Sequence, residues 1–234
     1  MTNQKVVLAR QRLRTPRAAA IAGILFAVLF VISVVLIRLV LPDDLTESSI
    51  AEWLGGNTAL VSTALTLVPF AGIAFLWFMG VVRAHLGKLE DQFFSSVLVG
   101  SGLLFLAMTF ASAAIAGGIM TSYAIAADQL TAGGVLIFGR ALMYTIMNVY
   151  AIRMAGVFMI SLGTIWLQAQ AVPRPFVFAT YALALLLLVT ISFSLWVILI
   201  FPAWVFVISV YILRETWRGE EAEAEGFIGS GDAP

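Results

Sequence analysis

The chain has no cysteine and a single histidine, His85. The first absence excludes disulfides, thiolate metal sites and cysteine nucleophiles. The second excludes any centre built from several imidazoles. Charge is scarce as well: 11% of the 234 residues are Asp, Glu, Lys or Arg, against 62% that are apolar. A soluble domain carries about a quarter and about a half respectively, so a water-soluble fold could not hide this much apolar surface. The charges also avoid the middle of the chain. They gather in the first 17 residues, the last 21 and a few short connections between long apolar runs, which is the distribution that a bilayer imposes. Thirteen basic residues are balanced by thirteen acidic ones. No basic face exists for a phosphate backbone, which excludes nucleic acid as a main partner.

What is present is a series of apolar runs. About 20 such residues cross a hydrocarbon core of about 30 Å as a helix. Clear runs lie near Ala18 to Leu41, Leu60 to Val82, Ser96 to Gly117, Asn148 to Trp166 and Phe176 to Leu213. The first is too long for the apolar region of a cleaved signal peptide and reads as a signal anchor. The last has 38 residues without a charge. As one helix it would extend about 57 Å, so it is expected to be two spans, divided near Ser192 to Ser194. Pro69 and Pro202 read as interruptions tolerated within spans.

The fold class expected is therefore an all-α integral membrane protein, a bundle of six transmembrane helices at about 18–41, 60–82, 96–117, 146–168, 175–192 and 195–213. Residues 1–17 form a basic N-terminal segment, 18–213 the membrane domain and 214–234 an acidic tail. Cytoplasmic connections carry the excess of Lys and Arg. With the N-terminus inside and six spans, Lys5, Arg10, Arg12, Arg14, Arg17, Arg83, Lys88, Arg174, Arg214 and Arg218 are all cytoplasmic, ten of the thirteen. The opposite side receives Asp43, Asp44, Glu47, Glu52 and Asp128. Both termini are expected in the cytoplasm, and the protein in the plasma membrane. The tail, with four glutamates in the six residues Glu220 to Glu225, reads as disordered.

No Asp or Glu lies inside an expected span. Proton-coupled transporters and cation channels commonly use such carboxylates, so carboxylate-based proton coupling is not expected. The positive signal is Arg153, reckoned about 6 Å inside the membrane boundary at 1.5 Å per residue. Snorkelling or a structural hydrogen bond is its ordinary role, and a contact with a ligand or a lipid phosphate the functional one. Ser112 falls at a similar depth on the consecutive span, with Thr109 one turn earlier on the same face. We therefore take Arg153, Tyr150, Asn148, Ser112 and Thr109 as candidate ligand contacts, with Arg153 expected to meet the hydroxyl face of the third span. Small residues such as Gly100, Gly102, Ala111 and Ala113 on that span suit close helix packing.

Met143, Met147 and Met154 form a stripe at helical spacing. Thioethers favour Cu(I), but no histidine cluster joins them, and core filling is the ordinary reading. His85 sits in a connection with Glu90 and Asp91 and reads as solvated. No HExxH, GxSxG, phosphate-binding loop or dinucleotide fingerprint occurs. No cofactor or metal is expected, and the chain reads as a non-enzyme. The function expected is a transporter-like, channel-like or amphiphile-binding helical bundle, its partners the lipid bilayer and an anionic lipid or small ligand. The alternative is an accessory or scaffold subunit that meets another membrane protein or a second copy, and the third an intramembrane enzyme.

Overall fold

A computed structural model describes the backbone of residues 2–40, 47–86, 92–132, 134–170, 172–190 and 195–229, and side chains over 17–37, 59–83, 93–126, 134–170, 172–190 and 197–218. The expectations placed on the first loop, Asp128, His85, residues 192–194 and the tail beyond Arg218 concern side chains outside that set.

The described residues are almost all helical, with no strand among them. The elements are α1 (Thr2–Val40), α2 (Glu47–Leu86), α3 (Gln92–Ala132), α4 (Val135–Thr145), a π-helical turn (Ile146–Ala151), α5 (Ile152–Ala169), α6 (Arg174–Val189) and α7 (Leu195–Gly229). Helices are what this composition permits, because a backbone surrounded by apolar material must satisfy its own N–H and C=O groups. Among the described residues, five stretches are long and apolar enough to cross a membrane: Arg17–Ile37, Ala59–Arg83, Phe93–Ala126, Val135–Ala169 and Val197–Arg218. They point to a multi-pass membrane protein. The apolar helix α6 is shorter, with 16 residues or about 24 Å.

Local chemistry sets the ends. Gly134 precedes α4 at φ 68°, a left-handed conformation that glycine adopts without steric cost, and so the chain reverses between α3 and α4. Pro173 and Pro175 flank the start of α6, where the missing proline N–H would have no helical partner anyway. The 38-residue apolar run is divided after Val189, where Thr190 is extended at ψ 121°, and helix resumes at Leu195. Pro69 and Pro202 lie inside continuous helices. Helix α7 runs on to Gly229, over the segment whose composition suggests disorder. Residues 220–225 of that segment are all Glu or Ala, both good helix formers.

Helix α1 packs between α2 and α7, α3 lies against α2, α4, the π turn and α5, and α5 carries α6. The α6–α7 pair is antiparallel. Phe176 stacks on Tyr211 at 6.0 Å between ring centroids, while farther along α6 the Thr180 hydroxyl accepts from Trp204 Nε1 at 3.0 Å. Gly23 on α1 is tightly enclosed, since an added Cβ would meet Ser209 Oγ of α7 and the Phe78 ring of α2.

The centre of the bundle is aromatic. Phe26, Phe75, Phe78, Phe105, Phe158 and Phe201, from α1, α2, α3, α5 and α7, are all buried. Their rings touch as a connected set, with centroids 4.9 Å apart for Phe26–Phe75, 5.3 Å for Phe75–Phe158 and 4.8 Å for Phe105–Phe201. Most pairs are tilted or edge-on, the arrangement favoured by the ring quadrupole. Trp204 and Trp166 extend the cluster toward the end of the bundle where α1 begins and α7 ends.

Candidate functional site

A hydroxyl on an apolar helix has one proton and two lone pairs. In this protein the proton goes by habit to the carbonyl four residues earlier. Ser33 donates to Leu29 O at 2.8 Å, Thr109 to Phe105 O at 2.8 Å, Ser161 to Val157 O at 2.9 Å and Thr180 to Phe176 O at 3.0 Å. Ser112 departs from the pattern. Its Oγ donates across the helix interface to Met143 O of α4 at 3.1 Å.

Met143 lies just before the π turn, where Ile152 N–H reaches back to Met147 O, five residues earlier. Such a turn disturbs the i→i−4 ladder and is frequent at functional sites. Side chains take up carbonyls around it. Ser112 reaches Met143 O, Asn148 Nδ2 donates to Tyr144 O at 2.9 Å, and Arg153 Nη1 donates to Val149 O at 2.7 Å. Asn148 is 2% exposed, and its Oδ1 is buried with no hydrogen-bond donor against it. An unpaired buried carbonyl of this kind costs about 1–3 kcal/mol.

Beside this turn is a partly open cavity of about 60 Å³, formed by Phe30, Ser33, Val34 and Ile37 of α1, Val68 of α2, Thr109, Ser112, Ala113 and Ala116 of α3, Met143 and Tyr144 of α4, Met147 of the π turn and Ile198 of α7. Its place along the bundle follows from chain order. On α1 and α3 these residues come level with or after the aromatic cluster, and on α2, α5 with its preceding turns, and α7 they come before it. The cavity thus lies wholly on the α3–α4 side of the cluster, with Phe30, which packs on Phe26 and Phe105 at 5.4 and 5.9 Å, as part of its floor. A volume of about 10–15 Å³ on this measure is enough for one water, so the space takes a small polar group and a few apolar atoms. On the same side, the Arg140 guanidinium sits over the Tyr144 ring at 5.5 Å.

The structure brings together two of the five sequence candidates, Thr109 and Ser112, in the cavity wall. Asn148 is in the adjoining π turn and is not among the lining residues. Tyr150 is 56% exposed and faces away from the core. Arg153 is half-buried, with its guanidinium on its own helix at Val149 O rather than on the hydroxyls of α3. Sequence reasoning overlooked Ser33, a lone hydroxyl in the apolar run of α1, and that isolation was the available signal. Of the methionine stripe, Met143 and Met147 line the cavity, and Met154 packs partly buried against the core. Among the described residues, no group of three His, Asp or Glu side chains converges as a metal site.

No protein-family model matches the chain, and no curated protein or solved structure is significantly similar to it.

Proposed function

We propose that this protein crosses the cell membrane six times with both termini in the cytoplasm, and that it binds an amphiphile between its helices at the outer end of the bundle. The six-span reading takes α6 as a short span and keeps ten of thirteen basic residues inside, in line with the positive-inside rule. The α3–α4 side, and the cavity with it, then belongs to the outer leaflet. One observation carries the binding reading: a cavity edged with hydroxyls and otherwise apolar lies above a floor of interlocked phenylalanines. A solute pathway would need polar groups down to the midplane, and the buried rings occupy that level. Binding without passage fits this arrangement better than transport, and the missing intramembrane carboxylates speak against proton coupling.

Orientation is tested with cysteines placed singly in the cysteine-free chain. Position 47 should react with an impermeant reagent on intact cells, and positions 88 and 223 should not. Binding is tested by purification in mild detergent with mass spectrometry of co-eluting lipids and proteins. The expected result is an amphiphile retained by the natural chain and lost from Ala116→Phe, whose ring would fill the cavity. Retention of the same amphiphile by a folded Ala116→Phe protein would reject the site.

The scaffold reading has an observation of its own. An open groove of about 320 Å³ between α2 and α3 is lined by Ser62, Leu65, Thr66, Gly117, Met120 and Thr121. Small side chains allow a further helix to approach closely, and Thr66 and Thr121 already donate within their own helices. A protein co-eluting in fixed ratio, and released by Gly117→Leu, would favour this second reading.

A further inference from the structure

Resting on the amphiphile reading, we propose that the ligand of this cavity is a neutral amphiphile with a free hydroxyl group, an alcohol that enters head first as a hydrogen-bond donor. Of the four hydroxyl-bearing side chains that line the cavity, Ser33, Thr109, Ser112 and Tyr144, the three aliphatic ones have already committed their protons: Ser33 to Leu29 O, Thr109 to Phe105 O and Ser112 to Met143 O. What these oxygens can still offer is lone pairs. Such a wall selects a ligand that brings its own O–H.

Charge narrows the class. Among the described residues no acidic side chain lines the cavity, and the Arg140 guanidinium lies over Tyr144 in its wall, so an ammonium head would lose its hydration without a counter-ion there. An anionic head needs donors, and the protons of Ser33, Thr109 and Ser112 are directed elsewhere while the Arg140 guanidinium is engaged with the Tyr144 ring. A neutral alcohol meets neither penalty. About 60 Å³ accommodates its hydroxyl and the first carbons of its chain, with the remainder passing out between the helices into the outer leaflet.

The test uses a photoreactive long-chain primary alcohol on the full-length protein in nanodiscs, with the labelled peptides mapped by mass spectrometry. Competitors of equal chain length are the unlabelled alcohol, its methyl ether, the carboxylate and the trimethylammonium compound. Labelling of cavity-wall peptides of α1, α3 or α4 should be displaced by the alcohol and much less by the other three. The Thr109→Val and Ser112→Ala variants should each bind about fivefold more weakly, the equivalent of one modest hydrogen bond. Ser33→Ala provides a third site should either α3 variant misfold. Equal competition by the ether would overturn the donor requirement while leaving an amphiphile site in place. Stronger competition by either charged compound would overturn the charge argument. If no probe labels the wall in a competable way, the amphiphile reading itself fails.

Discussion

The aromatic middle of the bundle and its α3–α4 end are built from the same helices in opposite ways. In the middle, phenylalanines from five elements are buried ring against ring, and just beyond them Ser161 turns its proton back to its own helix. One turn or two farther along, the filling stops. A cavity remains, the fourth apolar run adopts a π turn, a hydroxyl reaches across to a neighbouring helix, and a carbonyl oxygen is left buried without a partner. Inside a membrane, packing rather than water exclusion holds helices together. The middle therefore supplies the cohesion, which leaves the other end free to carry imperfections.

The largest effect should come from opening the middle. Phe105→Ala removes a ring that touches Phe26, Phe75 and Phe201, and should destabilise the protein by about 3 kcal/mol, read as a lower unfolding temperature in detergent. A negligible change would mean that the rings do not act as a packed unit. Next, Gly23→Ala should cost about 1–3 kcal/mol by overpacking, since its new methyl meets Ser209 Oγ and Phe78. Combining it with Ser209→Ala should recover part of that loss, a coupling that a double-mutant cycle measures.

At the other end effects should be smaller. Ser112→Ala deletes a bond between helices and should cost about 1 kcal/mol, whereas Ser101→Ala, which loses a bond to its own Val97 O, should change stability by less than about 0.5 kcal/mol. Equal losses for the two serines would dissolve the distinction between the cross-helix bond and the local ones. Arg153→Gln should have the least effect on folding, again below about 0.5 kcal/mol, because its hydrogen bond stays within one turn. A large loss would point to a structural role that the local bond does not explain.

How much of this the residues disclose depends on whether one helix or several decide the matter. The apolar runs, and the expectation that the last one divides, follow from length against the thickness of a bilayer, a property of single segments. Thr109 and Ser112 could be placed on one face of α3 from helical periodicity alone. Ser112's acceptor could not, because Met143 O belongs to another helix and depends on how α3 and α4 approach. For Arg153, depth reckoning gave a level in the membrane but no direction. The carbonyl of Val149, one turn away, is a nearer partner than any hydroxyl on a neighbouring helix. The π turn has no composition that marks it, since Ile-Met-Asn-Val-Tyr-Ala is compatible with an α-helix, and so Asn148's burial was not legible. The aromatic cluster was hidden for the same reason: its rings are scattered over five helices and meet only in the assembled bundle.

The central claim is that the cavity opens on one side only and that the phenylalanines close the other. It is tested most directly by cysteine accessibility from the two faces of the membrane, using Ala116→Cys in the cavity wall and Ser161→Cys beyond the rings. A small impermeant thiol reagent should modify position 116 from outside intact cells and not from the cytoplasmic face in inverted vesicles, while position 161 stays unmodified from both. Modification of position 116 from the cytoplasmic face, or of position 161 from outside, would show a path through the aromatic middle and contradict the account.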